Sequence, residues 1–225
     1  MVTQLINTWT REPLEESGMT AEHTWIWREM ISAIDEQDLS GQKVLDFGCN
    51  QGGFLRLLYD QRPFASGVGV DLAQKAVDIA EARKDGRPID YRATSDLAEL
   101  GEIFDLAFSH EVIYLIEDLA RHAEQIASVL KPGSNYYAVT CCHKDSPLWA
   151  SWRPRIQAFS NINVPDHGVA DIAGAFRAHG FDVAVSRFLA SALVPLEGPN
   201  DYFQSDVERL DCYANWKLMF RMRRL

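Results

Sequence analysis

Val44-Leu45-Asp46-Phe47-Gly48-Cys49-Asn50-Gln51-Gly52-Gly53-Phe54 decides how the rest of the chain is read: a short hydrophobic strand meets an acidic residue, passes through a glycine-containing turn and enters a helix. Glycines let a backbone pass close beneath a ligand at the carboxyl edge of a sheet. A dinucleotide-binding turn uses GxGxxG to hold a pyrophosphate on the helix terminus, and a carboxylate inside that turn would oppose the phosphate charge. Asp46 suits a ligand carrying an amino group instead, which disfavours a hydride-transfer enzyme.

Outward from this stretch, strands and helices alternate. Hydrophobic periodicity and turn residues predict strands at 43–47, 66–70, 89–93, 104–109, 136–140 and 181–189, with helices at 52–61, 73–84, 118–130 and 169–179. Such alternation implies right-handed crossovers onto a parallel sheet with helices on both faces. At 213–223, Ala214, Trp216, Leu218, Phe220 and Met222 alternate with Asn215, Lys217, Arg221 and Arg223, the pattern of a last strand with one buried face. The basic cluster Lys217, Arg221, Arg223 and Arg224 is then the solvated face of that strand.

Before the sheet, Thr20 is positioned to cap a helix whose first turn carries Glu22. Its apolar stripe reads His23, Ile26, Trp27, Met30, Ile31 and Ile34, which leaves Trp25 among Glu22, Glu29 and Ser32. A polar stretch at 141–168 breaks the rhythm, with Trp149, Trp152, Ile156 and Phe159 at helical spacing and Arg153 and Arg155 solvated beside them. The expected organisation is an N-terminal helical lid or extension over 1–40 and a main domain over 41–225, within which 141–168 is an inserted cover segment.

Of 225 residues, 47% are hydrophobic and 24% charged, which suits one globular core. No apolar run approaches the roughly 18 residues needed to span a bilayer, and Met1 to Thr10 lacks the basic-then-apolar pattern of an export signal. Cys49, Cys141, Cys142 and Cys212 include no CxxC pair, so a reducing compartment is expected and the localisation reads as cytoplasmic. A formal charge of -10 repels phosphate backbones and anionic lipid alike, so neither nucleic acid nor membrane is an expected partner.

The chain resembles the class I S-adenosylmethionine-dependent methyltransferases over roughly 43–140. Asp46, Gly48 and Gly52 match that family's first motif, with Asn50 and Gln51 where its loop often has a glycine and a small residue. Asn tolerates a left-handed backbone better than most residues, so the loop keeps its path. Gly69-Val70-Asp71-Leu72, Ala93-Thr94-Ser95-Asp96-Leu97, Phe104-Asp105-Leu106-Ala107-Phe108-Ser109 and Val129-Leu130-Lys131-Pro132-Gly133 follow in family order, the last with Ser134 in place of a second glycine. The resemblance implies a Rossmann-like methyltransferase fold: a seven-stranded, mostly parallel sheet with a final antiparallel strand and helices on both faces. It also implies S-adenosylmethionine as cofactor, with S-adenosylhomocysteine as product. Asp71 would accept hydrogen bonds from the ribose hydroxyls, Leu72 would press on the adenine, and Asp96 would meet the adenine amino group; Asp46, Gly48, Asn50, Gly52, Leu97 and Ser109 complete the expected cofactor set.

The function so implied is methyl transfer to a small-molecule acceptor by in-line displacement. A protein or RNA acceptor, or a cofactor-binding protein without turnover, are the alternatives. A base is needed only for a protonated acceptor. His110, whose ordinary pKa lies near neutrality, is the first candidate as base or acceptor-orienting residue, with Tyr114 and His143 beside it and His167 of lower rank. Glu111 reads as a cap or as a carboxylate facing the cofactor's charge. Adjacent Cys141 and Cys142 with His143 cannot easily chelate one ion, so no metal is expected.

Overall fold

Strand β1 (Lys43–Phe47) is buried from Val44 onward, as a central parallel strand covered on both faces must be. This computed structural model describes residues 5–10 and 13–225, the side chains of residues 13–22 excepted. Around β1 the sheet adds β2 (Ser66–Asp71), β3 (Ile89–Ala93), β4 (Phe104–His110), β5 (Leu130–Thr140), β6 (Phe181–Arg187) and β7 (Leu218–Arg224) in the order β3-β2-β1-β4-β5-β7-β6. The strands through β5 pair in parallel, and β7 runs antiparallel between β5 and β6. The chain therefore reverses its winding between β1 and β4, which opens a crevice at their carboxyl ends.

Period-two alternation sends successive residues to opposite faces. Leu45, Phe47, Val68, Val70, Ala107, Ala138 and Phe220 pack on α4 (Leu119–Val129) and α6 (Val169–Ala178). Val44, Leu106, Phe108, Val139 and Met219 pack on the other side with α1 (Pro13–Ala33) and α2 (Gly53–Gln61), beside which α3 (Gln74–Ala82) lies. Met30, Ile31 and Ile34 of the α1 stripe enter this second layer as expected.

Three expectations change. Helix α1 begins at Pro13, so Thr20 lies inside it; the side chains of Thr20 and Glu22 are outside the described residues. Strand β5 begins at Leu130, with a register shift between Phe104 and Leu106 in its pairing with β4 that absorbs the Lys131-Pro132-Gly133 turn. The last strand begins at Leu218, because Cys212–Trp216 winds into a π-helical turn after a short α7 (Asp206–Asp211). Lys217 thus ends a coil instead of facing water: it is 2% exposed. The remaining arginines stay near the surface, Arg221 pairing with Asp35 and Arg224 with the Leu130 carbonyl. Helix α5 (Trp149–Phe159) forms where the aromatic spacing predicts it.

Candidate active site

The crevice is a cavity of about 1160 Å³, larger than the ~300–1,000 Å³ common for one small-molecule site. One half is built by the β1–α2 loop. Gly48 and Gly52 both sit at positive φ, 79° and 72°. A Cβ on Gly48 would lie 2.3 Å from Val112, and one on Gly52 2.5 Å from Tyr91, so only glycine keeps this path. Asn50 takes the left-handed conformation foreseen for it, at φ 47°. Its N–H donates to Asp71 Oδ2 at 2.8 Å while Asp71 Oδ1 accepts from the Ala73 N–H, so one carboxylate ties the two strand-end turns together. Asp46 lies below, 3% exposed. Burial first, and the Asp71 charge second, push its carboxyl up to about 8.

Asp46, Gly48, Asn50, Asp71 and Leu72 share this wall with Thr94 and Ser95. Other expected residues lie off it. Gly52 is held behind the loop by the Tyr91 hydroxyl on its carbonyl, 3.0 Å. Asp96 caps the 3-10 turn Leu97–Leu100 through the Ala98 N–H and borders a smaller depression that adjoins the crevice through Arg121 and Gln125. Leu97 is a core residue under that turn. Ser109 is buried against the Tyr136 hydroxyl at 2.7 Å, which also meets His122 Nε2 at 3.1 Å.

The other half is aromatic. Trp9, Trp25, Tyr114, Trp152, Phe159 and Tyr213 face it. Three segments converge there: α1, α5 and the stretch running through α7. The N-terminal residues cross between the halves, Ile6 bridging to Ala73 and Thr10 to Ser160 of the α5 end. Trp25 meets the edge of Tyr213 at 5.5 Å, whereas Trp149, expected beside it, packs on Tyr114 and bonds Asp166 behind the wall. Arg209, 4% exposed, is matched by Glu197 and lies 4.9 Å over Phe203.

Where the halves meet, the end of β4 presents His110. Its Nδ1 accepts the Trp27 indole N–H at 3.2 Å, and indole is only a donor, so neutral His110 carries its proton on Nε2. That atom is buried without a partner. Burial, with the Lys217 charge and His23 adding to it, drops the His110 pKa well below the ordinary imidazole range. His110 therefore presents an N–H donor rather than a base. Tyr114 also lines the cavity, and burial holds its hydroxyl protonated by pushing its pKa well up. His143 does not reach the cavity; its Nε2 bonds the Trp216 carbonyl at 3.0 Å, as His167 Nε2 bonds that of Ile116 at 2.9 Å.

Glu111 follows His110 at φ 54°, a left-handed conformation costly for a branched-chain-free but bulky side chain. Its Oε1 accepts the Cys141 N–H, its Oε2 the Thr140 hydroxyl, and Lys217 closes an ion pair on Oε1. Burial alone would raise the Glu111 carboxyl, but the Lys217 ammonium and the Thr140 hydroxyl together more than offset it and hold the group below the usual range. Lys217 is the wall residue most thoroughly hidden from sequence reading: its period-two position predicted solvent, and only the π turn before β7 turns it inward. His23 and Trp27, read as plain core stripe, also face the cavity. Among the described residues no three His, Cys, Asp or Glu side chains group as a metal site, and no helix is long and apolar enough to cross a membrane.

Residues 22–185 match a family model described as a methyltransferase domain. A ubiquinone biosynthesis O-methyltransferase of Rhizobium rhizogenes is 39% identical over 106 residues, 45% of this chain and 42% of the relative. The match thus spans less than half the length of that curated relative. Among solved structures, a putative methyltransferase of Haloferax volcanii in complex with the Trm112 methyltransferase activator superposes with a TM-score of 0.79 at 22% identity, covering 93% of each chain. Geranyl diphosphate C-methyltransferase of Streptomyces coelicolor, solved with S-adenosyl-L-homocysteine, gives 0.65 at 14% identity over 100% of this chain and 90% of that one. At these identities the two structures establish the shared fold.

Proposed function

The chain belongs to the methyltransferase-domain family, and from this premise we propose that it transfers the methyl group of S-adenosylmethionine to a hydroxyl of a small, largely apolar and planar acceptor. The observation that carries this reading is a single cavity whose carboxylate half and aromatic half meet at the unpartnered Nε2 of His110. The carboxylate half fits the cofactor by its chemistry: Asp46 and Asp71 stand in one wall with no basic side chain bonded to Asp46, which suits an ammonium and a ribose diol and repels a pyrophosphate. When bound, S-adenosylmethionine supplies an electrophilic methyl group on a sulfonium and is left as the neutral thioether S-adenosylhomocysteine.

Asp46 receives the ammonium, Asp71 the ribose, and the Gly48–Asn50 turn lets the backbone lie against them. Leu72, Thr94 and Ser95 border the adenine. His110 donates its Nε2 proton to the acceptor oxygen and orients it; Trp25, Tyr114, Trp152 and Tyr213 hold the acceptor plane and exclude water. The names of the curated O-methyltransferase relatives support oxygen as the methylated atom. In this reading the described parts of the N-terminal lid and the cover segment around α5 close the aromatic half, supported by Trp9, Trp25 and Trp152 lining it and by the Thr10–Ser160 bridge.

Calorimetry with S-adenosylmethionine, S-adenosylhomocysteine and NAD, followed by mass spectrometry of a panel of phenols incubated with enzyme and cofactor, tests the reading. Micromolar binding of the first two, weakened by about 1.5–3 kcal/mol in Asp71→Ala, and a mass gain of one methylene on a phenol are expected. Heat with NAD alone would overturn it.

The lid makes its own prediction. Trp25 lines the cavity and meets the acceptor half edge-on through Tyr213. Trp25→Ala is expected to lower kcat/KM for the acceptor at least about tenfold, with cofactor affinity and Tm nearly unchanged. Unaltered kcat/KM would remove Trp25 from the lid; a large drop in Tm would show it to be packing.

A further inference from the structure

If the acceptor is a hydroxyl, something must take or release its proton, and the histidines, cysteines and tyrosines described around the His110 junction are poorly suited to take it near neutral pH. His110 presents a donor. His23, 4.8 Å from it ring to ring, is lowered to about 4 by burial first and the Lys217 charge second. Cys141 and Cys142 have their thiol pKa values pushed well up by burial, and Tyr114 and Tyr213 are raised as well. Glu111 is occupied by the Lys217 ammonium, the Thr140 hydroxyl and the Cys141 N–H.

What the wall does hold is a buried cation. Lys217 lines the cavity with a side chain 3% exposed, its Nζ paired with Glu111 beside His110 and 5.8 Å over the Tyr213 ring. Its bond to Glu111 uses one of three ammonium hydrogens. Glu111 also accepts from the Thr140 hydroxyl and the Cys141 N–H at the end of β5. A second cation described in the aromatic half, Arg209, is held by Glu197 and the Gly198 carbonyl. The charged and titratable groups around Lys217 are Glu111 and His110 at the end of β4, His23 of α1, Cys141 and Cys142 after β5, and Cys212 and Tyr213 of the π turn. Burial, the largest influence, works against its charge, but Glu111, with Cys141 and Tyr213 adding to it, more than offsets this and holds the ammonium above the usual lysine range.

We propose that Lys217 is a catalytic residue of this chain: its buried ammonium captures the acceptor hydroxyl as the oxyanion, with His110 Nε2–H on the same oxygen. This rests on the O-methyl transfer proposed above. The acceptor's O–H bond breaks on binding and its proton leaves to bulk water. The oxygen keeps the electron pair and forms the new C–O bond, while the pair of the breaking S–C bond returns to sulfur. No protein base is needed at the moment of transfer, and a low-dielectric wall makes one fixed cation effective.

The test reads ionisation without turnover. 4-Nitrophenol, whose anion absorbs in the visible, is titrated against pH when bound to the enzyme saturated with S-adenosylhomocysteine. The bound phenol is expected to ionise at least about one pH unit lower than in solution, a tenfold preference for the anion. Lys217→Met should abolish the shift. Because that variant strands Glu111, Glu111→Gln/Lys217→Met is measured too; it keeps the wall neutral and should also show no shift. In parallel, kcat for the methylated phenol should fall at low pH along the ionisation of the bound phenol in the wild type, with the limb moved up in the double variant. A shift retained in either variant overturns the assignment, as does failure of 4-nitrophenol to bind or to shift in the wild type. Those outcomes leave the methyltransferase reading standing when a phenol is still methylated, whereas loss of S-adenosylhomocysteine binding would strike that reading itself.

Discussion

Asp46→Asn is expected to weaken S-adenosylmethionine binding by roughly two orders of magnitude, about 3 kcal/mol, while making the ligand-free protein more stable above neutral pH. Both effects have one cause. The Asp46 carboxyl is buried at the carboxyl end of a central strand, and burial, then Asp71, raise it to about 8. The unfolded chain gives up that proton near pH 3.9. Between about pH 4 and 8 the folded state therefore holds a proton that the unfolded state has lost, so stability falls as pH rises through this window, by on the order of 5 kcal/mol at its full extent. Asn removes the penalty. A bound ammonium would reverse it by favouring the carboxylate, so cofactor binding at pH 7 should release a proton from Asp46. Calorimetry in buffers of different ionisation enthalpy measures this directly. Equal heats in all buffers for the wild type, or a proton still released by Asp46→Asn, would dismiss Asp46 as the ammonium partner.

The largest loss of stability is expected for Glu111→Ala. The substitution leaves the Lys217 ammonium, the Thr140 hydroxyl and the Cys141 N–H without their shared acceptor. An uncompensated buried charge costs about 3–5 kcal/mol, which for a chain of this size lowers Tm by on the order of 10 °C. Glu111→Gln/Lys217→Met should recover most of it, since neutral groups of similar volume replace both charges. The pH dependence follows from the depressed Glu111 pKa. Its contribution is fully present above the unfolded carboxyl value of about 4.3 and is lost as pH falls through the folded value, so wild type and double variant should differ in slope only below about pH 4. Denaturant titrations across pH check this. If the double variant is as unstable as Glu111→Ala, the pair is not the source of the cost.

The cofactor-like half of the cavity was legible because it is local. Asp46, Gly48, Asn50 and Gly52 lie within seven residues, and the strand, turn and helix that carry them follow from hydrophobic periodicity and the few residues that accept positive φ. Asp71 and Leu72 are equally readable, since every parallel strand ends at the same sheet edge. Assigning Asp96 and Leu97 to the same wall failed at one turn's resolution: Asp96 caps its own 3-10 helix, so Thr94 and Ser95 reach the cavity in its place.

The aromatic half was hardly readable at all. Its walls come from α1, α5, the stretch through α7 and the end of β7, segments far apart in sequence whose meeting depends on how long loops settle on the sheet. Trp25 was recognisable as misplaced, but its partner, Tyr213, was assigned to a strand.

By itself, then, the sequence determined the alternating strands and helices, the winding that opens a crevice beyond β1 and β4, and the acidic glycine turn beneath it, because all of these are set by periodicities and backbone preferences spanning a few residues. The tertiary structure alone decided the His110 tautomer, through the indole of Trp27 eighty-three residues away. It alone decided the fate of Lys217 as well. A π turn displaces the start of β7 and turns a position that alternation assigns to water into a buried cation facing Glu111.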